Sequence, residues 1–170
     1  MAADEILRQI ERAYGSLSAP TWFTIVERKE SEPFRDLIAG IGAHCEVADT
    51  TDEDDDVAYI YALTRGEEMW ALALSCVAPY AVFARSNPAD NVWHEILTAG
   101  SGGLDDFERR VVDAVRREGI RLLSQAELEH PVPLRLDGVP QEHVRVYQAL
   151  ITPGEILPWD TVTLRRLGLI

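Results

Sequence analysis

The sequence predicts an α+β protein, in which an antiparallel β-meander of about four to six strands carries helices packed mainly on one face. Three observations predict this class. Apolar residues recur at helical spacing near the N-terminus, three strand-like runs follow one another through very short links, and a long amphipathic pattern comes after them. Parallel strands need a crossover of about a dozen residues or more, so such short links imply antiparallel pairing.

The first quarter of the chain is predicted to be mainly helical. Residues 3–14 carry apolar side chains at spacings of three and four, with acids in the first turn, where the helix dipole favours them. Residues 21–29 fit a short helix or a strand equally well. A second helix is expected over about residues 31–39, followed by a strand over about residues 43–48.

The meander consists of three runs, Val57–Thr64, Met69–Cys76 and Tyr80–Ala84. The segment Arg65–Glu68 between the first two is typical of a hairpin turn. Residues of one parity in the middle run are bulky and those of the other parity are small: Trp70, Leu72 and Leu74 against Ala71, Ala73 and Ser75. This contrast predicts a helix packed closely against the small face.

The second half begins with residues 86–103, which are predicted to be loop apart from a short turn near Trp93–Leu97. Leu104–Glu118 is the clearest helix in the sequence. A short strand is expected at Ile120–Leu123, followed by a single helical turn behind a Ser-x-x-Glu capping box. Alternation predicts another strand over His143–Thr152, and the proline-containing tail is predicted to be irregular.

Length and composition favour one domain over residues 1–170. A chain of 170 residues buries roughly 70% of its unfolded surface, which is enough for one core without disulfides. No stretch approaches the roughly 20 apolar residues of a membrane helix, and the N-terminus lacks a signal-peptide pattern. We therefore expect a cytoplasmic protein, with Cys45 and Cys76 as thiols in the core. No cofactor and no metal site is expected.

The net charge of −13 is unevenly distributed. Residues 1–100 carry 18 acids against 7 lysines and arginines, whereas residues 101–170 carry 11 acids against 9. Such a field repels nucleic acids and anionic membranes, and it attracts basic protein surfaces.

The segment Asp49–Asp56 has six carboxylates in eight residues. It departs from a calcium-binding EF-hand loop, because Val57 stands where glycine is required and Leu63 where a glutamate is required. Two interpretations remain: a solvated loop, or a docking patch for an arginine- and lysine-rich surface. Mutual repulsion favours an extended loop. The candidate partner-binding carboxylates are Asp49, Asp52, Glu53, Asp54, Asp55 and Asp56.

Two tryptophans are further candidates for partner binding. Trp93 and Trp159 lie in loop-like sequence beside prolines and acids. Large aromatic side chains often dominate binding energy at interfaces, so both could anchor a partner. The alternative is that they cover the edge of the core.

No catalytic motif is present. The four histidines lack the spacing of a zinc site, and no Gly-x-Ser-x-Gly nucleophile turn occurs. We therefore do not expect an enzyme. An alternative is a hydrolase whose site is not visible in the sequence; its candidate residues are His44, Cys76, His94, Glu95 and His143.

Small size, lopsided acidity and the lack of a catalytic motif suggest a protein-binding module. The first hypothesis is a bacterial immunity or antitoxin-type protein that neutralises a basic toxin or effector. The alternative is a protein like a secretion chaperone, which binds an extended client segment. The sequence leaves open whether the chain forms a homodimer.

Overall fold

The computed structural model of the chain describes residues 2–154 and 156–170. The helices in these ranges are α1 (Ala2–Tyr14), α2 (Phe23–Glu30), α3 (Arg35–Gly42), α4 (Asp106–Arg117), α5 (Gln125–Leu128), α6 (Val146–Leu150) and α7 (Thr161–Arg166), with a 3₁₀ turn at Gln141–His143. The strands are β1 (Glu46–Asp49), β2 (Ala58–Arg65), β3 (Glu68–Ser75), β4 (Tyr80–Ser86), β5 (Trp93–Leu97) and β6 (Arg121–Leu122).

The sheet confirms the predicted α+β class and its meander. Strands β1 to β5 lie side by side in chain order, and each pairs antiparallel with the next. The short strand β6 pairs parallel with the start of β4, through Tyr80 opposite Arg121. The long connection through β5 and α4 makes this parallel pairing possible. In the strand order β1-β2-β3-β4-β5, β1 and β5 stand at the two ends.

The predicted hairpin between β2 and β3 is present. Arg65 pairs with Glu68, so two residues form the connecting loop. Gly66 adopts a φ of +59°, in the left-handed region that glycine tolerates best. The register of the central strands is thereby set from this turn.

The long helix α4 packs against the bulky face of β3. The rings of Trp70 and Phe107 have centroids 4.7 Å apart, and Trp70 Nε1 donates a hydrogen bond of 2.9 Å to Glu108 Oε1. The expected helix against the small face is therefore not α4. The small face is buried as well, at Ala71, Ala73 and Ser75.

Strand β5 occupies Trp93–Leu97, where the sequence analysis expected a short turn, so that prediction was wrong. Arg85 pairs with Glu95, but Ser86 pairs with Trp93, which leaves His94 as an inserted residue in a β-bulge. A bulge redirects the side chains that precede it. Trp93 therefore shares the face of Ser86 instead of the face of Glu95.

The strand expected over His143–Thr152 is also wrong, because Val146–Leu150 forms the helix α6. All five residues of α6 are buried. No polar residue marks a solvent-facing side, so the sequence periodicity cannot distinguish a strand from a helix there. The backbone N–H of Arg145 donates to Gln148 Oε1 at 3.0 Å and so caps the helix start.

Two short helices expose most of their side chains. The ambiguous residues 21–29 are helical in α2, which buries only Ile25. The tail, expected to be irregular, contains α7, whose N-terminus is capped by a hydrogen bond of 3.1 Å from Thr163 N to Asp160 Oδ1. No residue of α7 is buried. Neither helix is held by a wide apolar stripe.

Candidate partner-binding groove

The acidic segment between β1 and β2 forms a compact turn. Asp56 N donates to Asp52 O at 2.9 Å, and Asp52 N donates to Asp56 Oδ2 at 2.7 Å. Asp52 Oδ1 in turn accepts a hydrogen bond of 3.0 Å from Asp54 N. The expected extended conformation is therefore wrong, because carboxylates that accept backbone N–H groups offset part of their mutual repulsion.

Lys29 fastens this turn to α2. Its Nζ donates to the carbonyl oxygens of Glu53 and Asp56, each at 2.8 Å, and lies 3.5 Å from Asp52 O. The carbonyl oxygen of Lys29 accepts a hydrogen bond of 2.7 Å from the Tyr59 hydroxyl on β2. The single lysine of the chain thus joins a helix, a strand and the acidic turn.

Asp56 lies at the buried end of the turn. Burial raises the pKa of its carboxyl group, and the negative charge of Asp52 adds to that effect. Hydrogen bonds from the Asp52 backbone and the Thr152 side chain, together with the charge of Lys29, act in the opposite direction. Burial outweighs these effects, so the pKa of Asp56 lies above the ordinary value of an aspartate.

The turn forms one wall of a groove of about 790 Å³ between α2, the β1–β2 connection and the segment near Leu136. We call it the acidic groove. Its acidic lining residues are Glu30, Glu32, Asp49, Glu53, Asp54, Asp55, Asp56 and Asp137. The other lining residues are Trp22, Ile25, Val26, Lys29, Thr51, Val57, Tyr59, Leu136 and Pro153.

The carboxylates of the groove are largely without ion-pair partners. Of the groove carboxylates, only Glu32 forms an ion pair with another described residue. Its partner is Arg35, which does not line the groove. The ammonium group of Lys29 is bonded to main-chain carbonyls and not to a carboxylate. The groove therefore presents a concentrated negative potential to solvent.

An apolar rim adjoins the acidic wall. Trp22, Phe23 and Val26 are exposed, and Phe23 keeps 76% of its surface accessible. The Trp22 ring stands edge-on to Tyr14 at a centroid distance of 5.2 Å, which fixes its position. The sequence analysis did not identify this rim, because it left residues 21–29 open between a helix and a strand.

Five of the six candidate carboxylates line the groove. The exception is Asp52, whose carboxylate is used inside the turn.

Trp93 and Trp159 lie elsewhere. Trp93 is only 7% exposed, and its ring packs near Tyr147 and Trp159 at 5.9 Å and 6.5 Å. Trp159 Nε1 donates to Glu129 Oε1 at 2.6 Å. Neither tryptophan lines the acidic groove, and a partner-binding role for them stays a prediction.

The residues considered for a hydrolase do not share a cavity. His44 lines a small cleft between α3 and α4, whereas His94 lines a different cleft beside α7. Glu95 is ion-paired with Arg85. Burial raises the pKa of Cys76 to about 11, which keeps it as an unreactive thiol near neutral pH.

His143 sits in the 3₁₀ turn, outside both clefts. Within residues 2–154 and 156–170, no group of three or more histidine, cysteine or acidic side chains is arranged to hold a metal ion. None of the helices in those ranges combines the length and apolar character needed to cross a bilayer.

Comparison with known proteins gives no relative: no family model, no curated protein and no solved structure matches the chain.

Proposed function

We propose that this chain is an acidic protein-binding module that holds a basic partner in the acidic groove. The observation that carries the proposal is the lining of the groove, in which seven exposed carboxylates and the buried Asp56 surround one lysine that is already bonded to carbonyl oxygens. Arginine and lysine side chains of a partner would relieve the repulsion among these carboxylates. Such complementarity mainly increases the association rate and the selectivity for basic surfaces.

The apolar rim gives the groove a second kind of contact. Charge pairs at a solvated surface contribute about 0–1 kcal/mol each, so they hold a partner weakly by themselves. Trp22 is an exposed aromatic side chain that lines the groove together with the carboxylates, and the exposed Phe23 follows it in the chain. Aromatic anchors supply much of the binding energy at many interfaces. The expected partner surface is therefore basic, with apolar side chains at one end.

The finer proposal is a bacterial immunity or antitoxin-type protein. A toxin that acts on nucleic acid has a basic cleft for phosphates. An acidic groove with an aromatic rim is complementary to such a cleft and could block it. The corresponding experiment is co-expression with a basic toxin encoded beside this gene, where the proposal expects rescue of growth that depends on the groove carboxylates.

A defined probe tests the groove directly. Fluorescence anisotropy of a labelled arginine-rich peptide should report binding that weakens as salt rises. The double variant Asp54→Lys/Asp55→Lys should lower the affinity about tenfold or more, which corresponds to roughly 1.4 kcal/mol. Both side chains are exposed, so the variant should keep the fold.

The matched control is Glu11→Lys/Glu118→Lys, which changes the net charge equally at exposed positions that do not line the groove. If the control weakens peptide binding as much as the groove variant does, only net charge matters and the groove proposal is wrong.

The second candidate, a protein like a secretion chaperone, is favoured by strand β1. It stands at an end of the strand order and is mostly exposed. Thr50 N donates to Ile60 O at 2.8 Å, so alternation directs the main-chain groups of Val47 and Asp49 away from β2. An extended client segment could pair with this edge. Client-dependent protection of the Val47 and Asp49 amides from hydrogen exchange would favour it, and unchanged exchange would exclude pairing at β1.

A further inference from the structure

The described residues expose large apolar side chains in two places. The first is the groove rim already defined. The second, which we call the C-terminal patch, consists of Val162, Leu167 and Leu169, with exposures of 78%, 55% and 61%. Both patches belong to short helical segments that bury at most one residue.

The two patches carry opposite charge. The rim adjoins the eight carboxylates of the groove. Residues 161–170 contain Arg165 and Arg166 in the last turn of α7 and no aspartate or glutamate. The helix start is capped by Asp160, but its last turn and the residues after it are basic and apolar, which is the chemistry that the acidic groove with its rim accepts.

A six-residue helix that buries no side chain gains little from packing, and helices shorter than about 12 residues are marginal in water without it. A surface that covers Val162, Leu167 and Leu169 would stabilise α7.

The α7 helix does not lie in the groove of its own chain. Arg165 lines a cleft with Ser86 and His94, on the β5 side of the sheet. The groove is lined by Asp49 of β1 and Tyr59 of β2, at the other end of the strand order. The groove and the C-terminal patch are therefore separate surfaces, and both are open to solvent in one copy.

We infer that a second copy of this chain is the ligand of the C-terminal patch: α7 of one copy docks in the acidic groove of the next. Arg165 and Arg166 face the groove carboxylates, and the apolar side chains of the patch contact the rim. Different surfaces meet in this contact, so it is heterologous and adds further copies unless a ring closes. A basic partner and α7 compete for the same groove.

The net charge of −13 opposes the approach of two copies. At about 0.15 M salt, screening over about 8 Å removes most of the long-range repulsion and leaves adjacent charges interacting. Self-association should therefore be measured near this ionic strength. Sedimentation velocity over a concentration series should show species of at least twice the 19.0 kDa chain mass.

The first variant is Arg165→Glu/Arg166→Glu, which should be monomeric at every concentration. Its matched control is Arg116→Glu/Arg117→Glu, since these two arginines are also exposed and also occupy the last turn of a helix. The control should associate as the wild type does. A wild-type chain that stays monomeric, or a control that loses association equally, overturns the inference.

Mixing a groove variant with the α7 variant tests specifically whether α7 docks in the groove. The groove variant Asp54→Arg/Asp55→Arg should be monomeric, and so should the α7 variant. An equimolar mixture of the two should associate, because the unchanged α7 of the groove variant then meets the unchanged groove of the α7 variant. Circular dichroism of each variant verifies the fold. A mixture that stays monomeric contradicts docking of α7 in the groove.

The same variants separate this inference from the proposed function. The α7 variant keeps the groove intact and should bind the arginine-rich peptide at least as tightly as the wild type. Peptide binding by a strictly monomeric wild type would overturn self-association alone. Self-association that the α7 variant abolishes, without any peptide binding, would overturn the general basic-partner proposal alone.

Discussion

Glu108 shows how one buried carboxylate can hold several elements together. Both of its oxygens accept two hydrogen bonds: Oε1 from Trp70 Nε1 and Arg85 Nε, and Oε2 from Arg85 Nη2 and Asp105 N, all between 2.7 and 2.9 Å. Burial alone would raise the pKa of Glu108. The hydrogen bonds and the charge of Arg85 outweigh it and lower the pKa to about 2.

Because of this lowered pKa, the free energy of unfolding should fall at acidic pH. The ordinary value of 4.5 applies in the unfolded chain, so Glu108 contributes its full stabilisation above about pH 4.5 and loses it as the pH falls towards 2. Glu108→Gln should cost about 2 kcal/mol at pH 7. It should also flatten the fall in unfolding free energy below pH 4.5, as measured by urea denaturation at several pH values.

The control for Glu108 is Glu95→Gln, since Glu95 also pairs with Arg85 but keeps 46% of its side chain exposed. An exposed pair contributes at most about 1 kcal/mol. Equal effects of the two substitutions would contradict the special role of the buried carboxylate.

Among the secondary-structure elements, α2 and the acidic turn are coupled through one ammonium group. Lys29→Met keeps the apolar stem and removes the donor to the Glu53 and Asp56 carbonyls. The loss should cost about 1 kcal/mol and speed amide hydrogen exchange at Asp52 and Asp56, while the strands stay protected.

Arg28→Met is the matched control for Lys29, because it removes the same charge from the same helix and Arg28 donates no hydrogen bond to the turn carbonyls. The coupling would be refuted by equally fast exchange in the turn of both variants.

Helices with one solvated side, and apolar runs joined by very short links, were predictable from the sequence. The helices α1 and α4 alternate between buried and exposed sides, and the predicted meander strands β2, β3 and β4 are present within about two residues of their expected bounds. The helix α6 has no exposed side, and β5 depends on a bulge and on its pairing with β4. Neither condition leaves a periodic signal in the local sequence.

The groove was predictable only in part for the same reason. Local composition identifies the acidic segment, because its charges are adjacent in the chain. The rim at Trp22 and Val26 and the acid Asp137 reach the groove only through the fold. Tertiary packing brings these distant segments together, and no local pattern encodes it.

At the scale of the whole molecule, the fold gathers part of the excess negative charge of the first hundred residues into the acidic groove. The front segments supply seven of the eight groove carboxylates, and Asp137 adds one from the back. Under the proposed function, the net charge would supply long-range attraction to basic proteins, and the groove would be the site of contact. The opposite character of α7 and the groove extends this to contacts between copies.

The hydrogen bonds that hold the Lys29 ammonium group have a practical consequence for chemical labelling. The chain has one lysine, and its amine is surrounded by carbonyl oxygens, so reagents that target lysine side chains will find little to react with. Carbodiimide activates carboxylates instead of amines. The exposed carboxylates of Asp54 and Asp55 would then form amide bonds with lysine side chains of a bound partner. Zero-length crosslinking followed by peptide mass spectrometry would then identify the lysines of a basic partner in the groove, whereas α7 of a second copy contains no lysine and would give no such crosslink.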